Sequence, residues 1–267
     1  FSPAGATCSE GGGVGCLSDY RNMFRFSAAE RGCGGVRAYH IFNPTVYERR
    51  EPVELMVWDF PYKASNIRVT DGEGVEVPFA VVFERQNYWR HTYSKLLVDA
   101  TLPPLGYATY IVSNGDYPAE PEPNYFVFQR RDTITDAPQV LENEFIRAEF
   151  DSRTMEIVSL TDKQTGCRLI ERPAAMFQLI RENPRHGMTS WRVGEIMSCE
   201  NLNESCAVRR LGERFNDLQS ELDYEIGFSR SKLKVTVRLP KHGRGLIFDV
   251  CCDWLETPVE GAFVPQL

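Results

Sequence analysis

The sequence predicts an all-β protein of the β-sandwich class, and three observations lead to that prediction. Apolar and polar residues alternate with period two along many short segments, as in strands with one buried face. Clusters of Gly, Asn and Asp separate these segments at short intervals. No window carries the i, i+3, i+4, i+7 apolar stripe of an amphipathic helix, and the weak candidate at residues 216–222 is not assigned as one. Short strands with regular turn signals are typical of sandwiches.

The clearest strand is predicted at residues 232–239, where polar and apolar residues alternate without interruption. The apolar set is Leu233, Val235, Val237 and Leu239. Because successive side chains of a strand point to opposite faces, these four share one face, which we expect to be buried. Further strands are predicted at residues 53–58, 75–83, 107–112, 125–128, 145–150, 155–160, 222–226 and 246–254.

Turn signals separate these strands, at residues 71–74, 114–116, 162–166 and 241–245. In the third of them, Asp162 can accept hydrogen bonds from nearby backbone amides in an Asx turn, and Gly166 can take a positive φ. The sequence therefore predicts a tight hairpin there.

Residues 1–35 are rich in Gly and Ser, and we interpret them as a linker or as the remnant of a preceding region. The glycines at residues 11–15 lack the Gly-Lys-Ser/Thr ending of a phosphate-binding loop. The chain starts with Phe1 rather than Met and has no basic-then-apolar leader pattern. We therefore expect a fragment or a processed piece of a longer protein.

Prolines mark the expected domain boundary. They crowd residues 117–123, and a second break falls at residues 136–138. Proline cannot donate a hydrogen bond to a sheet ladder, so both stretches predict connections or sheet edges. We expect a smaller β-sandwich at residues 36–130 and a larger one at residues 137–267, truncated at its C-terminus. A sheet that stops there would leave an unpaired edge, which favours homo-oligomers.

The net charge of −7 comes from 37 acidic and 30 basic residues. That balance argues against nucleic acid as a partner, because phosphate binding needs a basic surface. It also gives no attraction to an anionic membrane surface, and no apolar run is long enough to span a bilayer.

The eight cysteines form no Cys-x-x-Cys pair, and the four histidines lie far apart in the sequence. We therefore expect no metal site in this chain. The cysteines are interpreted as free thiols of a cytoplasmic protein, with the adjacent Cys251 and Cys252 on opposite faces of a strand.

Carboxylate pairs suited to glycoside hydrolysis are easy to find in an acidic chain, but none stands out. Asp249 and Asp253 lie four apart on a predicted strand and share a face with Cys251. We interpret them as solvated or structural positions. A Gly-x-Ser-x-Gly nucleophile motif is absent from the sequence.

Residues 186–192 combine a histidine, a tryptophan and an arginine in a Gly-containing segment that we expect to be a loop. Aromatic faces stack on sugar rings and Arg donates paired hydrogen bonds, so His186, Trp191 and Arg192 are the candidate carbohydrate-binding residues. The alternative is a buried tryptophan that anchors the loop. The second aromatic cluster, residues 87–93 with Trp89, is more typical of a strand with aromatic cross-strand partners.

Several segments, in this order, resemble family 38 glycoside hydrolases, the retaining α-mannosidases. They are residues 39–44 ending in Phe42-Asn43-Pro44, residues 47–51, 141–151 and 157–166, Asp253-Trp254 followed by Glu256, and residues 262–265. The resemblance implies the C-terminal β region of such an enzyme: a small β-sandwich followed by part of a larger galactose-mutarotase-like supersandwich. In physical terms, Pro44 cannot continue a ladder and Asn43 can close a turn with its side chain.

The resemblance also implies what this chain lacks. The family's nucleophile, acid/base carboxylate and zinc ligands lie on an upstream α/β domain, so no catalytic or metal residue is carried over. We expect zinc only in that missing domain, an inactive isolated chain, and an α-mannoside as partner through the parent enzyme. Relatives often show Asp-Ala-Trp near residues 186–192; here Thr189 and Ser190 precede Trp191. A free-standing carbohydrate-binding module and a structural or protein-interaction sandwich are the alternatives.

Overall fold

A computed structural model of the 267-residue chain describes residues 6–7, 35–88, 91–115, 126–127, 129–131, 138–183, 194–256 and 264–266. Regular structure in these ranges is almost entirely β-strand, so the predicted all-β class is confirmed. Helix in these ranges is confined to a 3₁₀ turn at Ala64–Asn66 and to one α-helical turn, α1 (Leu202–Ser205). The weak helix candidate forms a turn and the start of a strand.

The chain folds into two compact units. Unit 1 comprises Phe1–Gln129 and Phe215–Gln219, and unit 2 comprises Arg130–Arg214 and Ser220–Leu267. The strands up to the division are β1 (Ala6–Thr7), β2 (Val36–Asn43), β3 (Arg49–Trp58), β4 (Ile67–Asp71), β5 (Phe79–Tyr88), β6 (His91–Leu102), β7 (Gly106–Asn114), β8 (Phe126–Val127) and β9 (Gln129–Arg131). The strands that follow are β10 (Gln139–Glu142), β11 (Ile146–Phe150), β12 (Ile157–Asp162), β13 (Gln178–Glu182), β14 (Ile196–Asn201), β15 (Ala207–Phe215), β16 (Gln219–Phe228), β17 (Ser231–Pro240), β18 (Ile247–Asp253) and β19 (Val264–Gln266).

Unit 1 is a two-layer sandwich. One sheet has the order β1-β2-β7-β4 and the other β3-β6-β5-β8. Its core combines side chains of both sheets, such as Val57 and Leu96 from one and Val112 from the other. The Tyr39 hydroxyl donates to the carbonyl oxygen of Met56 (2.8 Å), which ties β2 to β3 across the sandwich.

Unit 2 holds a five-stranded sheet of order β18-β17-β16-β15-β9 and two three-stranded sheets, β10-β11-β12 and β14-β13-β19. The predicted apolar face of β17 is confirmed, because its four members are fully buried in the unit 2 core: Leu233, Val235, Val237 and Leu239. Alternation alone was a sufficient signal for this strand, since one of its faces meets water.

The hydrogen bonds and the backbone conformation predicted for the hairpin at residues 162–166 are confirmed. The Asp162 carboxylate accepts hydrogen bonds from the amides of Gln164 (2.8 Å) and Thr165 (3.0 Å), and Gly166 has a φ of +73°. These amide bonds, with that of Thr165 the stronger influence, lower the pKa of Asp162. The positions of Asp162 and Gly166 in the sequence therefore predicted this turn correctly.

The strand predicted at residues 75–83 is displaced, because β5 runs over Phe79–Tyr88 instead. Pro78 explains the shift: it has no N–H for the ladder, so regular pairing starts at the next residue. Before it, Glu76 forms an isolated β-bridge with Thr70 of β4.

The Pro-rich boundary predicted at residues 117–123, residues 136 and 137 of the second break, and most of residues 1–35 fall outside the described residues. The domain limits drawn from them stay predictions. Among the described residues, no helix has the length and apolar character needed to cross a bilayer.

Candidate functional site

An aromatic groove lies where β2 and β7 meet their turns in unit 1. These strands pair antiparallel, with Phe42 opposite Tyr107 and the two ring centroids 5.5 Å apart. Both rings stand on the outer face of the sheet, and they are 71% and 57% exposed. The aromatic groove has a volume of about 450 Å³ and is lined by Phe42, Asn43, Pro44, Leu105, Gly106 and Tyr107.

The rim of the aromatic groove is held by Asn43, which is almost completely buried. Its side-chain nitrogen donates to the carbonyl oxygens of Tyr47 (2.8 Å), Leu102 (3.3 Å) and Pro103 (3.0 Å). Its side-chain oxygen accepts from the amide (3.0 Å) and hydroxyl (2.6 Å) of Thr45. The prediction that Asn43 closes a turn is therefore confirmed, and the residue also joins that turn to the one between β6 and β7.

The opposite side of the rim is fixed by a backbone bond. The Leu105 amide donates to the Thr45 carbonyl oxygen (2.8 Å), and Leu105 has a φ of +47°. A left-handed conformation is unfavourable for a leucine, so its presence shows that the surrounding contacts dictate the path of the chain here. The Leu105 side chain is left exposed at the mouth of the aromatic groove.

Two polar residues lie on the same outer face, two positions from the aromatic pair along each strand. His40 stands opposite Thr109, and the His40 Nδ1 atom lies 2.9 Å from the Thr109 hydroxyl oxygen. The His40 ring meets the Tyr107 ring edge-on, with the centroids 5.6 Å apart. The face thus presents an aromatic pair beside a pair of hydrogen-bonding side chains.

A second candidate feature is the segment Asp253–Glu256, which the family resemblance singled out. The Glu256 carboxylate accepts hydrogen bonds from the hydroxyls of Ser231 (2.8 Å) and Ser229 (3.0 Å) and from the Arg230 amide (3.1 Å). These bonds, that of Ser231 first, lower the pKa of Glu256. The carboxylate therefore holds this segment against the turn between β16 and β17.

That attachment places Trp254 beside Phe228, with the ring centroids 5.9 Å apart. About a third of Trp254 remains exposed. Its ring partner Phe228 is buried, so Trp254 is the exposed member of this pair.

Asp249 and Asp253 do not form an enclosed carboxylate pair. Both lie on β18, the edge of the five-stranded sheet in the described residues, and both are exposed. Asp249 pairs with Arg238 across to β17, and Cys251 is exposed. Their interpretation as solvated or structural strand positions is confirmed.

The predicted carbohydrate-binding residues His186, Trp191 and Arg192 lie outside the described residues, so their role stays a prediction. The structure describes the two strand ends that flank them. The buried Glu182 carboxylate accepts a hydrogen bond from the Gly194 amide, and the Asn183 amide donates to the Glu195 carbonyl oxygen (2.9 Å).

The second aromatic cluster behaves as predicted where it is described. Tyr93 stands opposite Trp58 on β3, with the ring centroids 4.7 Å apart, and meets Phe83 edge-on at 5.2 Å. Trp89 lies outside the described residues. Tyr93 is thus a cross-strand partner in a sheet, which is the interpretation that the sequence favoured.

No cluster of three or more His, Cys, Asp or Glu side chains suited to a metal ion occurs among the residues that the structure describes. The cysteines in those ranges have free thiols: Cys167, Cys199, Cys206, Cys251 and Cys252. Burial raises the pKa of the Cys252 thiol, and the neighbouring Asp253 carboxylate adds to the effect.

Sequence reasoning missed Tyr107 and its pairing with Phe42. Two signals were present: the strand predicted at residues 107–112 begins with an aromatic residue, and Phe42 precedes a turn. Neither signal showed that the two strands are neighbours, because their pairing joins residues more than sixty positions apart.

Comparison with known proteins finds a distant relationship and no matching family model. The chain is 28% identical over 140 residues to the lysosomal alpha-mannosidase of Dictyostelium discoideum. The match covers 47% of this chain but only 13% of that protein's length. Part of this all-β chain is therefore related to an α-mannosidase.

Proposed function

We propose that this chain is a non-catalytic C-terminal β region of an α-mannosidase-like glycoside hydrolase. The observation that carries the proposal is the match to a protein named as an α-mannosidase. The order of the motifs described above, from Phe42-Asn43-Pro44 to Asp253-Trp254, is consistent with family 38 of these enzymes. Such a parent enzyme would hydrolyse α-mannosides with retention, by double displacement through a covalent glycosyl-enzyme.

The region's role would be to support the parent's catalytic domain and to shape part of its carbohydrate cleft. Residues His186, Trp191 and Arg192 are the candidates for sugar contact. The clamp between Glu182 and Gly194 supports this, because it fixes both ends of the segment that carries them.

Zinc belongs to the parent's catalytic domain in this proposal. The described residues of this chain do not offer a zinc ligand set, so no chemical step through zinc is assigned to it. The chain's own contribution is ring stacking and hydrogen bonding.

Turnover measurements test the proposal. We expect the isolated chain, supplied with zinc, to release no para-nitrophenol from para-nitrophenyl α-D-mannopyranoside above a buffer control. Turnover that a single substitution in this chain abolishes would contradict the non-catalytic role. In the genome, an upstream α/β region with clustered Asp and His codons is the expected context, and its absence would favour the alternatives.

A free-standing carbohydrate-binding module is the second candidate function, and the exposed pair Phe42 and Tyr107 favours it. Calorimetric binding of a mannoside that is lost in Trp191→Ala would place binding in the segment of residues 186–192. The cytoplasmic location is a separate prediction from the free thiols, and the matched relative is named as lysosomal.

A further inference from the structure

We propose that the aromatic groove of unit 1 binds a neutral sugar ring, through residues other than the segment 186–192. The choice of a mannoside as the sugar rests on the proposed function. The groove itself is argued from its rigidity, its chemistry and its charge.

The aromatic groove is preorganised. Phe42 and Tyr107 stand opposite each other in a continuous ladder between β2 and β7, so their backbones do not have to be ordered on binding. The bonds of Asn43 to Leu102 and Pro103 hold the turn that carries Pro44 against the turn that carries Leu105, and its other three bonds fix its own turn. A ligand would therefore meet walls that are already in place.

The walls suit a ring with an apolar face. The two aromatic rings have centroids 5.5 Å apart and planes inclined by 41°, so they contact each other and form one continuous apolar surface. The face of an aromatic ring is electron-rich, and it attracts the weakly positive C–H groups on one side of a pyranose. Both rings are more than half exposed, so a ligand that covers them gains the free energy of removing apolar surface from water.

Hydrogen-bonding groups stand next to the rings. The Nδ1 atom of His40 is already hydrogen-bonded to the Thr109 hydroxyl. A ligand hydroxyl would therefore hydrogen-bond to the other ring nitrogen, Nε2. Tyr107 adds a phenol hydroxyl at the end of its ring. A ligand with an apolar face and a rim of hydroxyls, which is the build of a sugar, matches this arrangement.

The charge of the aromatic groove selects a neutral ligand. None of its six lining residues is an Asp, Glu, Lys, Arg or His, in a chain whose net charge is −7. An anionic ligand would be repelled by the whole chain, and a cationic one would find no carboxylate in the lining. The volume of about 450 Å³ lies within the range of small-molecule sites.

Saturation-transfer NMR on the full chain tests the proposal, with methyl α-D-mannopyranoside and cellobiose as probes. We expect sugar signals with the unaltered chain, and an affinity about tenfold lower in Phe42→Ala and in Tyr107→Ala, from the loss of an aromatic contact. Both side chains are exposed, so the variants should keep the fold. Trp254→Ala, which removes an exposed aromatic residue of unit 2, is the matched control and should bind as the unaltered chain does.

The outcomes separate this proposal from the proposed function. Binding of cellobiose alone, lost in Phe42→Ala, supports the groove and counts against the link to mannosides. Equal binding in Phe42→Ala, Tyr107→Ala and the unaltered chain overturns the groove, whatever the hydrolysis assay shows. Sedimentation velocity provides a second readout: a concentration-dependent dimer that Phe42→Ala abolishes would identify a second copy as the occupant and overturn the sugar site.

Discussion

The hydroxyl of Tyr110 and the backbone of Thr101 form a two-way hydrogen-bonded pair. The hydroxyl donates to the Thr101 carbonyl oxygen (3.1 Å) and accepts from the Thr101 amide (2.7 Å). Tyr110 lies on β7 and Thr101 on β6, so the pair joins the two sheets of unit 1. Tyr224 in the core of unit 2 is the contrast, because its buried hydroxyl has no hydrogen-bond partner among the described residues.

Replacing these two tyrosines should therefore have different effects. Tyr110→Phe removes two hydrogen bonds, and we expect a loss of roughly 1 to 2 kcal/mol in the free energy of unfolding. Tyr224→Phe removes a polar atom that is buried without a partner, so the same free energy should stay unchanged or rise. Urea denaturation of each variant measures this. A clear destabilisation by Tyr224→Phe would show that its hydroxyl is satisfied.

Alkaline pH should destabilise the fold through the same residues. Burial raises the pKa of both Tyr110 and Tyr224 above the unfolded value of 10.0. A raised pKa means that the stability gained from the protonated phenol is present below pH 10 and is lost as the pH rises further. The alkaline unfolding midpoint, followed by circular dichroism, should move to higher pH in Tyr224→Phe. An unchanged midpoint would contradict this account.

Asn43→Asp tests the rim of the aromatic groove. The substitution places a carboxylate opposite the carbonyl oxygens of Leu102 and Pro103 and removes both donors, so we expect a loss of roughly 3 kcal/mol in unfolding free energy. Asn66→Asp is the matched control, because the Asn66 side-chain oxygen accepts from the Ser65 hydroxyl and this bond survives the change. Its effect should stay within about 0.5 kcal/mol. Equal melting temperatures for the two variants would refute the role given to Asn43.

Asp151 should contribute to stability in a pH-dependent way. Its carboxylate accepts from the Thr154 amide (2.7 Å) and the Arg153 amide (2.9 Å), and these bonds, that of Thr154 first, lower its pKa below 3.8. A lowered pKa gives stability that is present above the unfolded value and is lost as the pH falls through the folded one. Asp151→Ala should therefore cost roughly 1 kcal/mol at pH 7, with the difference shrinking below about pH 4. The exposed Asp217→Ala is the control, and a pH-independent difference would rule out this explanation.

Asn203-Glu204-Ser205 has the sequence of an N-glycosylation acceptor, but the fold leaves no access to it. Asn203 is 1% exposed, donates to the Thr154 carbonyl oxygen (2.8 Å) and accepts from the Phe177 amide (2.7 Å). We expect the folded protein to carry no glycan at Asn203 when it passes through a eukaryotic secretory pathway. Intact-mass measurement before and after glycosidase treatment checks this, and a glycan on folded protein would refute the burial of this amide.

Local patterns were enough to predict strands that have one face in water and turns that depend on a single side chain. The alternation in β17 and the Asx turn at Asp162 are examples, because each is determined within a few residues. The strand prediction at residues 75–83 did not take account of Pro78. Because this residue has no backbone N–H to donate to the ladder, β5 starts only at the next residue.

Local sequence patterns could not predict the candidate site, and the reason is physical. In β2 both faces carry large apolar side chains, with Tyr39 and Ile41 towards the core and Phe42 outside, so alternation did not mark Phe42 as exposed. Tyr107 becomes its neighbour only through the ladder between β2 and β7. Sheet pairing over such a distance follows from the whole fold.

The bond from Asn43 to Pro103 spans sixty residues, and this has a consequence for biosynthesis. During translation, Phe42 and Asn43 are synthesised well before the turn at Pro103 and the strand β7, which complete the rim. During that interval the core side chain of the same strand, Tyr39, is exposed to water on a nascent polypeptide, and Asn43 still hydrogen-bonds to water. Chaperone capture of translation intermediates should accordingly decline once the segment containing Tyr107 has left the exit tunnel.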